Sequence, residues 1–200
     1  MFLATLLISL CQSVTPTSGT QLSPEEVLAL AFQECKIERV VHYPNKKQKA
    51  LAEKLAGEKI SAKTVRAYRA TRKGKLIGTG YFDAHKVRSK GQTLFIVVDT
   101  ASKISRIEIL RFDEPPEYKP KAKWLGQFKG MNLDKKLQIK QGICNMTGAT
   151  LSARATTQSV RKVLAFHEIF YPLPKKKPKA RPSKQTKKAS AADGLKNESP

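Results

Sequence analysis

Along the chain the apolar positions change period once, and that change divides it into helical ends and a strand-rich middle. Val27, Leu28, Ala31 and Phe32 recur at helical spacing, which predicts a helix from Ser23 to about Lys36. Ser23-Pro24-Glu25-Glu26 opens it with a capping residue, a first-turn proline and a glutamate placed to close a capping box. A second helix is predicted over Lys46 to Ala56, with Leu51, Ala52 and Leu55 on one face and Gly57 as its stop. From Thr64 the period shortens. Thr64 to Arg72 and Lys75 to Asp83 read as strands joined by a tight turn at Lys73-Gly74. Gly78 and Gly80 leave room there for the close approach of another backbone or a ligand. Leu94 to Val98 is a continuous apolar run, as in a buried central strand, and Ile104 to Phe112 alternates until its phase slips at Ile109-Leu110, the mark of a bulge. A last helix runs from about Thr150 to Tyr171, with Val160, Val163, Leu164 and His167 on one face. The expected class is α+β, with an antiparallel sheet of about four strands, N-terminal helices and a C-terminal helix.

Composition refines this order. The 200 residues, 40% hydrophobic, suffice for one core, and the segments divide as 1–22, an uncharged signal-like stretch and linker; 23–60, helical; 61–171, the main domain; and 172–200, a Lys/Pro-rich tail. The apolar run Phe2 to Leu10, followed by Cys11, Gln12 and Ser13, reads as a short secretory signal and places the protein outside the cytoplasm, periplasmic or membrane-associated. Three cysteines without a Cys-x-x-Cys pair exclude a disulfide-framework scaffold and a thiolate zinc site. In an oxidising compartment Cys35 and Cys144 either pair or stay as two buried thiols. No run of 18 apolar residues is present, so no ordinary membrane-spanning helix is expected.

Charge adds a second theme. With 38 Lys+Arg against 16 Asp+Glu the net charge is +22. The tail holds nine basic and two acidic residues, a net +7, and its prolines read as a disordered extension suited to an anionic surface or an acidic partner. The rest is basic as well.

The chemistry concentrates at Thr147-Gly148-Ala149-Thr150-Leu151-Ser152, where a small, hydroxyl-rich turn feeds a helix. Unpaired N–H groups and the positive end of the helix dipole make such a turn a phosphate site, although Ser and Thr at a helix start also serve simply as caps. Arg154 follows one turn on. Together with Ala153, Arg154 and Ala155, the hexapeptide resembles the flavin-attachment motif of the FMN-binding domain family. That family includes the flavin-bearing subunits of sodium-translocating NADH:quinone reductases and Rnf-type complexes, and small exported FMN-binding proteins. The resemblance extends over about Val65 to Phe166 and takes in Gly74 to Gly78, Leu94 to Ile109, the loop Glu114-Pro115-Pro116-Glu117-Tyr118, Trp124-Leu125 and Gln127-Phe128. It implies FMN as cofactor and the set Thr147, Gly148, Ala149, Thr150, Leu151 and Ser152 as its binding residues. Thr150 matches the attachment point of a phosphoester made by a flavin transferase, and Thr147 and Ser152 match donors around it. The family's Asp three residues before the Ser/Thr is replaced by Cys144, with Asn145 next to it.

An electron carrier with redox partner proteins follows from this cofactor, since no acid–base pair of carboxylates is evident and His42, His85 and His167 lack metal-ligand spacing. The alternative is a cofactor-free basic protein binding an anionic surface or nucleic acid. The chain lacks the stacking aromatics of an RNA-recognition sheet, which disfavours nucleic acid.

Overall fold

The computed structural model describes residues 22–174. Helix α1 (Pro24–Ala31) carries the expected capping box, with the Ser23 hydroxyl and the Glu26 carboxylate each accepting from the other's backbone N–H. It stops at Phe32, four residues before the predicted end, because the chain turns through a positive φ at Glu34 and enters strand β1 (Lys36–His42). This strand is absent from the sequence reading. Ile37, Val40 and Val41 favour it, but it has no fully buried residue, and Lys36, Glu38 and Arg39 give it the charged character of a protected sheet edge.

Helix α2 (Lys46–Ala56) has the predicted span and ends, as expected, on left-handed Gly57, and Asn45 caps its start. Strands β2 (Val65–Arg72), β3 (Lys75–Lys86), β4 (Gly91–Asp99) and β5 (Ile104–Phe112) complete a sheet ordered β1-β2-β3-β4-β5, each strand antiparallel to its neighbour. The sheet therefore has five strands where four were expected, and β3 and β4 meet in a turn at residues 87–90 that the sequence reading left between strands. Positive φ at both Lys73 and Gly74 makes the β2–β3 turn the type whose twist matches its strands. The slip at Ile109-Leu110 is a bulge: Thr93 pairs with Arg111 and Leu94 with Ile109, leaving Leu110 to pack on the opposite face from Ile109.

Strand β4 is the centre of the core because it is buried on both faces. Leu94, Ile96 and Val98 meet Val160, Val163 and Leu164 of helix α4 (Thr150–Phe170), while Phe95 and Val97 meet Val27, Leu28 and Phe32 of α1. Each such side chain contributes about 1.5–3 kcal/mol on burial, more than any surface pair in the chain. The close backbone approach predicted within β3 falls at Gly78, where a Cβ would lie 3.0 Å from the Val98 carbonyl oxygen, while at Gly80 side chains fill the space, with a Cβ 3.1 Å from Phe95 of β4 and 3.2 Å from Phe32 at the end of α1. Helix α2 packs on α4 through Ala52, Ala56, Ala165 and Phe166. The irregular stretch after β5 contains 3₁₀ turns at Pro116–Tyr118 and Gly126–Phe128 and the short helix α3 (Ala122–Leu125), and its Leu125, Phe128 and Leu137 close the core beneath α4. Cys35 and Cys144 are both free, and Cys144 is exposed. The signal-like segment and nearly all of the tail lie outside the described residues, among which no helix is long and apolar enough to cross a membrane.

Candidate functional site

The start of α4 is built to leave donors free. Gly148 takes φ +77°, with open space where a Cβ would stand, and Ala149 at the cap position has no oxygen to offer the first turn. The N–H groups of a 21-residue helix are thus presented without a side-chain cap, at the end where its dipole is positive.

The loop ahead of it is pinned from both sides. Trp124 Nε1 donates to the Cys144 carbonyl at 2.8 Å, and the Cys144 N–H donates to Gln127 Oε1 at 2.8 Å, while Gln127 Nε2 donates to the Trp124 carbonyl at 3.0 Å. Trp124 also packs edge-on against buried Phe128, so the aromatic loop both covers the core and holds the turn. Asn145 Nδ2 donates to Thr150 Oγ1 at 3.1 Å. The side chain that reaches Thr150 is therefore one residue beyond Cys144, the position that aligns with the family's Asp.

Opposite this helix start lies the β3–β4 turn, and between the two is a cavity of about 260 Å³. Gly148, Ala149, Thr150, Leu151 and Ser152 line it from one side, and Thr147 is exposed outside that lining. Val87 and Arg88 line it from the other, with Glu114 and Tyr118. Glu114, nearly buried, accepts from the N–H groups of Ser89 and Lys90 at 2.7 and 2.8 Å and from the Ser89 hydroxyl at 3.2 Å. Those backbone donors hold its carboxyl below the usual range, and the carboxylate in turn fixes the turn that carries Arg88. The sequence pattern predicts an end to this strand at Asp83 and so does not point to Arg88. The polar run Arg88-Ser89-Lys90-Gly91 ahead of an apolar strand was the available sign of a turn.

Free helix-start donors, a glycine that leaves the approach open and a facing guanidinium suit a phosphoryl group, and they fit the phosphate end of FMN. The arrangement has the make-up of a phosphate-anchored cofactor site, carried on an antiparallel sheet and one long helix. Residues 90–165 match the FMN-binding domain family, and the match supports FMN as the cofactor. The matched span begins at the β3–β4 turn and ends near the close of α4, a narrower stretch than the resemblance read from sequence. No curated protein matches the chain. Among the described residues no group of three His, Cys, Asp or Glu is placed to hold a metal.

Proposed function

We propose that the protein is an exported electron carrier whose FMN is bonded through its phosphate to Thr150. The observation that carries this reading is Thr150 itself, the first residue of α4, which lines the cavity beside an uncapped helix start. FMN, when bound, supplies one- and two-electron chemistry. The protein's residues bind and orient. The first-turn N–H groups and Arg88 hold the phosphate, Glu114 keeps Arg88 in place, and Trp124 with Gln127 keeps the loop from moving away. Val87 and Leu151 supply an apolar wall, and Leu151 is half exposed, as befits an edge at which a redox partner protein docks. Attachment requires a flavin transferase and a flavin phosphoanhydride as donor. The bond from Thr150 Oγ1 to phosphorus forms as the anhydride P–O bond breaks, the nucleotide leaves with the bridging oxygen and the hydroxyl proton passes to solvent. The basic surface favours acidic partners or an anionic membrane face. The uncharged, apolar N-terminal run supports an extracytoplasmic location.

The test is expression with flavin and an active transferase, followed by an absorbance spectrum and peptide mass spectrometry. Yellow protein whose flavin stays attached in acid, with the added mass on Thr150, is the expected result. Release of all flavin on denaturation, with Thr150 unmodified, would reduce the reading to non-covalent binding.

A further inference from the structure

Beside the flavin loop, the end of β3 and the middle of α4 enclose a second polar assembly. Asp83 and His85 alternate onto the face that meets α4, where Asp83 accepts from Lys162 Nζ at 2.8 Å and from the Ser159 hydroxyl at 2.6 Å and lies 3.1 Å from His85 Nδ1. His85 Nε2 is 3.2 Å from Gln92 Oε1, and Gln92, almost fully buried, donates to Thr156 Oγ1 at 3.3 Å. Side-chain exposure is 15% for Asp83, 13% for His85 and 18% for Lys162. Burial alone would raise the Asp83 carboxyl, but His85, Lys162 and Ser159 together outweigh it and hold it below its ordinary value. These bonds pin α4 to β3.

They do not explain what lies outside them. A cavity of about 310 Å³ opens over the assembly, and Lys86, Arg154 and Gln158 also line it. None of these three side chains has a hydrogen-bond or ion-pair partner among the described residues, whereas the Asp83 carboxylate is already engaged by its three neighbours. The remaining acid is Glu58, whose carboxyl burial pushes up against the pull of Lys162. Lys86, Arg154 and Lys162 outnumber it in the wall, so cationic donors exceed free acceptors, the composition that recognises an oxyanion. Val87 and Leu151 line both this cavity and the one at the loop, so an occupant would sit next to the cofactor.

We propose that the cavity between the end of β3 and α4 is a second ligand site, for a small molecule bearing a carboxylate or phosphate group held by Arg154, Lys86 and Lys162. Its position beside the cofactor rests on the flavin reading; its chemistry does not.

The experiment is calorimetric titration of the full-length protein, flavin-free and FMN-saturated, with succinate and with methyl phosphate. Both forms should bind one probe saturably, and the tighter probe identifies the source of the oxyanion. The doubly substituted Lys86→Gln, Arg154→Gln protein should bind about tenfold more weakly or worse, as expected for lost charge-assisted bonds. A Lys123→Gln, Lys129→Gln protein, altered equally in charge but away from the cavity, should bind as wild type. Absence of saturable binding, or equal weakening by both pairs, would overturn the site. Probe binding that vanishes on FMN loading would also overturn it, since the cavity would then be the flavin's own. Failure of the chain to take up FMN would instead strike the flavin reading, leaving the flavin-free titration to decide on the cavity.

Discussion

Thr150 and Asn145 show how much turns on the direction of one hydrogen bond. Because the Asn145 amide donates to Thr150 Oγ1, the hydroxyl hydrogen is left free and its oxygen gains no basic partner. In Asn145→Asp the carboxylate would accept that hydrogen and raise the nucleophilicity of the oxygen. Where wild type is attached incompletely, Asn145→Asp should raise the flavin-modified fraction by intact mass, and by more than Cys144→Asp, since the Cys144 backbone is what Trp124 and Gln127 hold. Thr150→Ala should abolish acid-stable flavin and Thr150→Ser should keep part of it. A second residue acts on stability alone. Arg161 donates to four backbone carbonyls, those of Leu55, Ala56, Asp134 and Leu137, and so ties the end of α2 and the loop after α3 to α4. Arg161→Ala should cost about 2–4 kcal/mol in urea unfolding, and Arg161→Lys should recover little, because an ammonium cannot span the same carbonyls. Wild-type stability in the alanine variant would show those carbonyls to be satisfied by water.

At the scale of the element, α4 carries both Thr150 and much of the core, and its far end is sensitive to acid. His167 is buried with Nδ1 2.9 Å from the Tyr81 hydroxyl, and burial pushes it from its ordinary 6.5 down to about 4, against a smaller opposing pull from Asp99. The unfolded chain therefore binds a proton that the folded chain refuses. Its contribution is complete above about pH 6.5 and is lost as pH falls from there to about 4, up to about 3 kcal/mol in all. Denaturant unfolding between about pH 7 and about pH 4.5 should show a clear loss for wild type and a shallower one for His167→Gln. Parallel slopes would mean that the histidine titrates freely in the fold. Most elements were readable from the chain, since capping residues, the Lys73-Gly74 turn and the Leu94 to Val98 run are local signals. Strand β1 was not, because an edge strand bearing charges has no buried stripe to betray it, and residues 84–86 at the end of β3 were not, because Ala84 and Lys86 are exposed and His85 is a polar residue held by Asp83 and by Gln92 of β4.

For the molecule as a whole, charge and the chain's end matter together. Tyr171 closes α4, its hydroxyl 2.7 Å from His42 Nε2 and its ring 5.2 Å from the Arg69 guanidinium, so the fold reaches at least that far. Removing residues 175–200 should leave the flavin spectrum unchanged and weaken binding to phosphatidylglycerol vesicles at low salt, with the difference fading as salt screens the charge. Loss of flavin on this truncation would make the tail part of the fold. By itself the sequence determined the class, the basic charge and the hexapeptide at the start of α4, since hydrophobic period, composition and turn chemistry are properties of neighbouring residues. Only the tertiary structure decided that Arg88 faces Thr150, that Asn145 rather than Cys144 reaches the threonine, and that Asp83, His85 and Lys162 share one wall. Those pairings join residues far apart in the chain, and their distances follow from the register of the strands and the docking of α4, which no local pattern encodes.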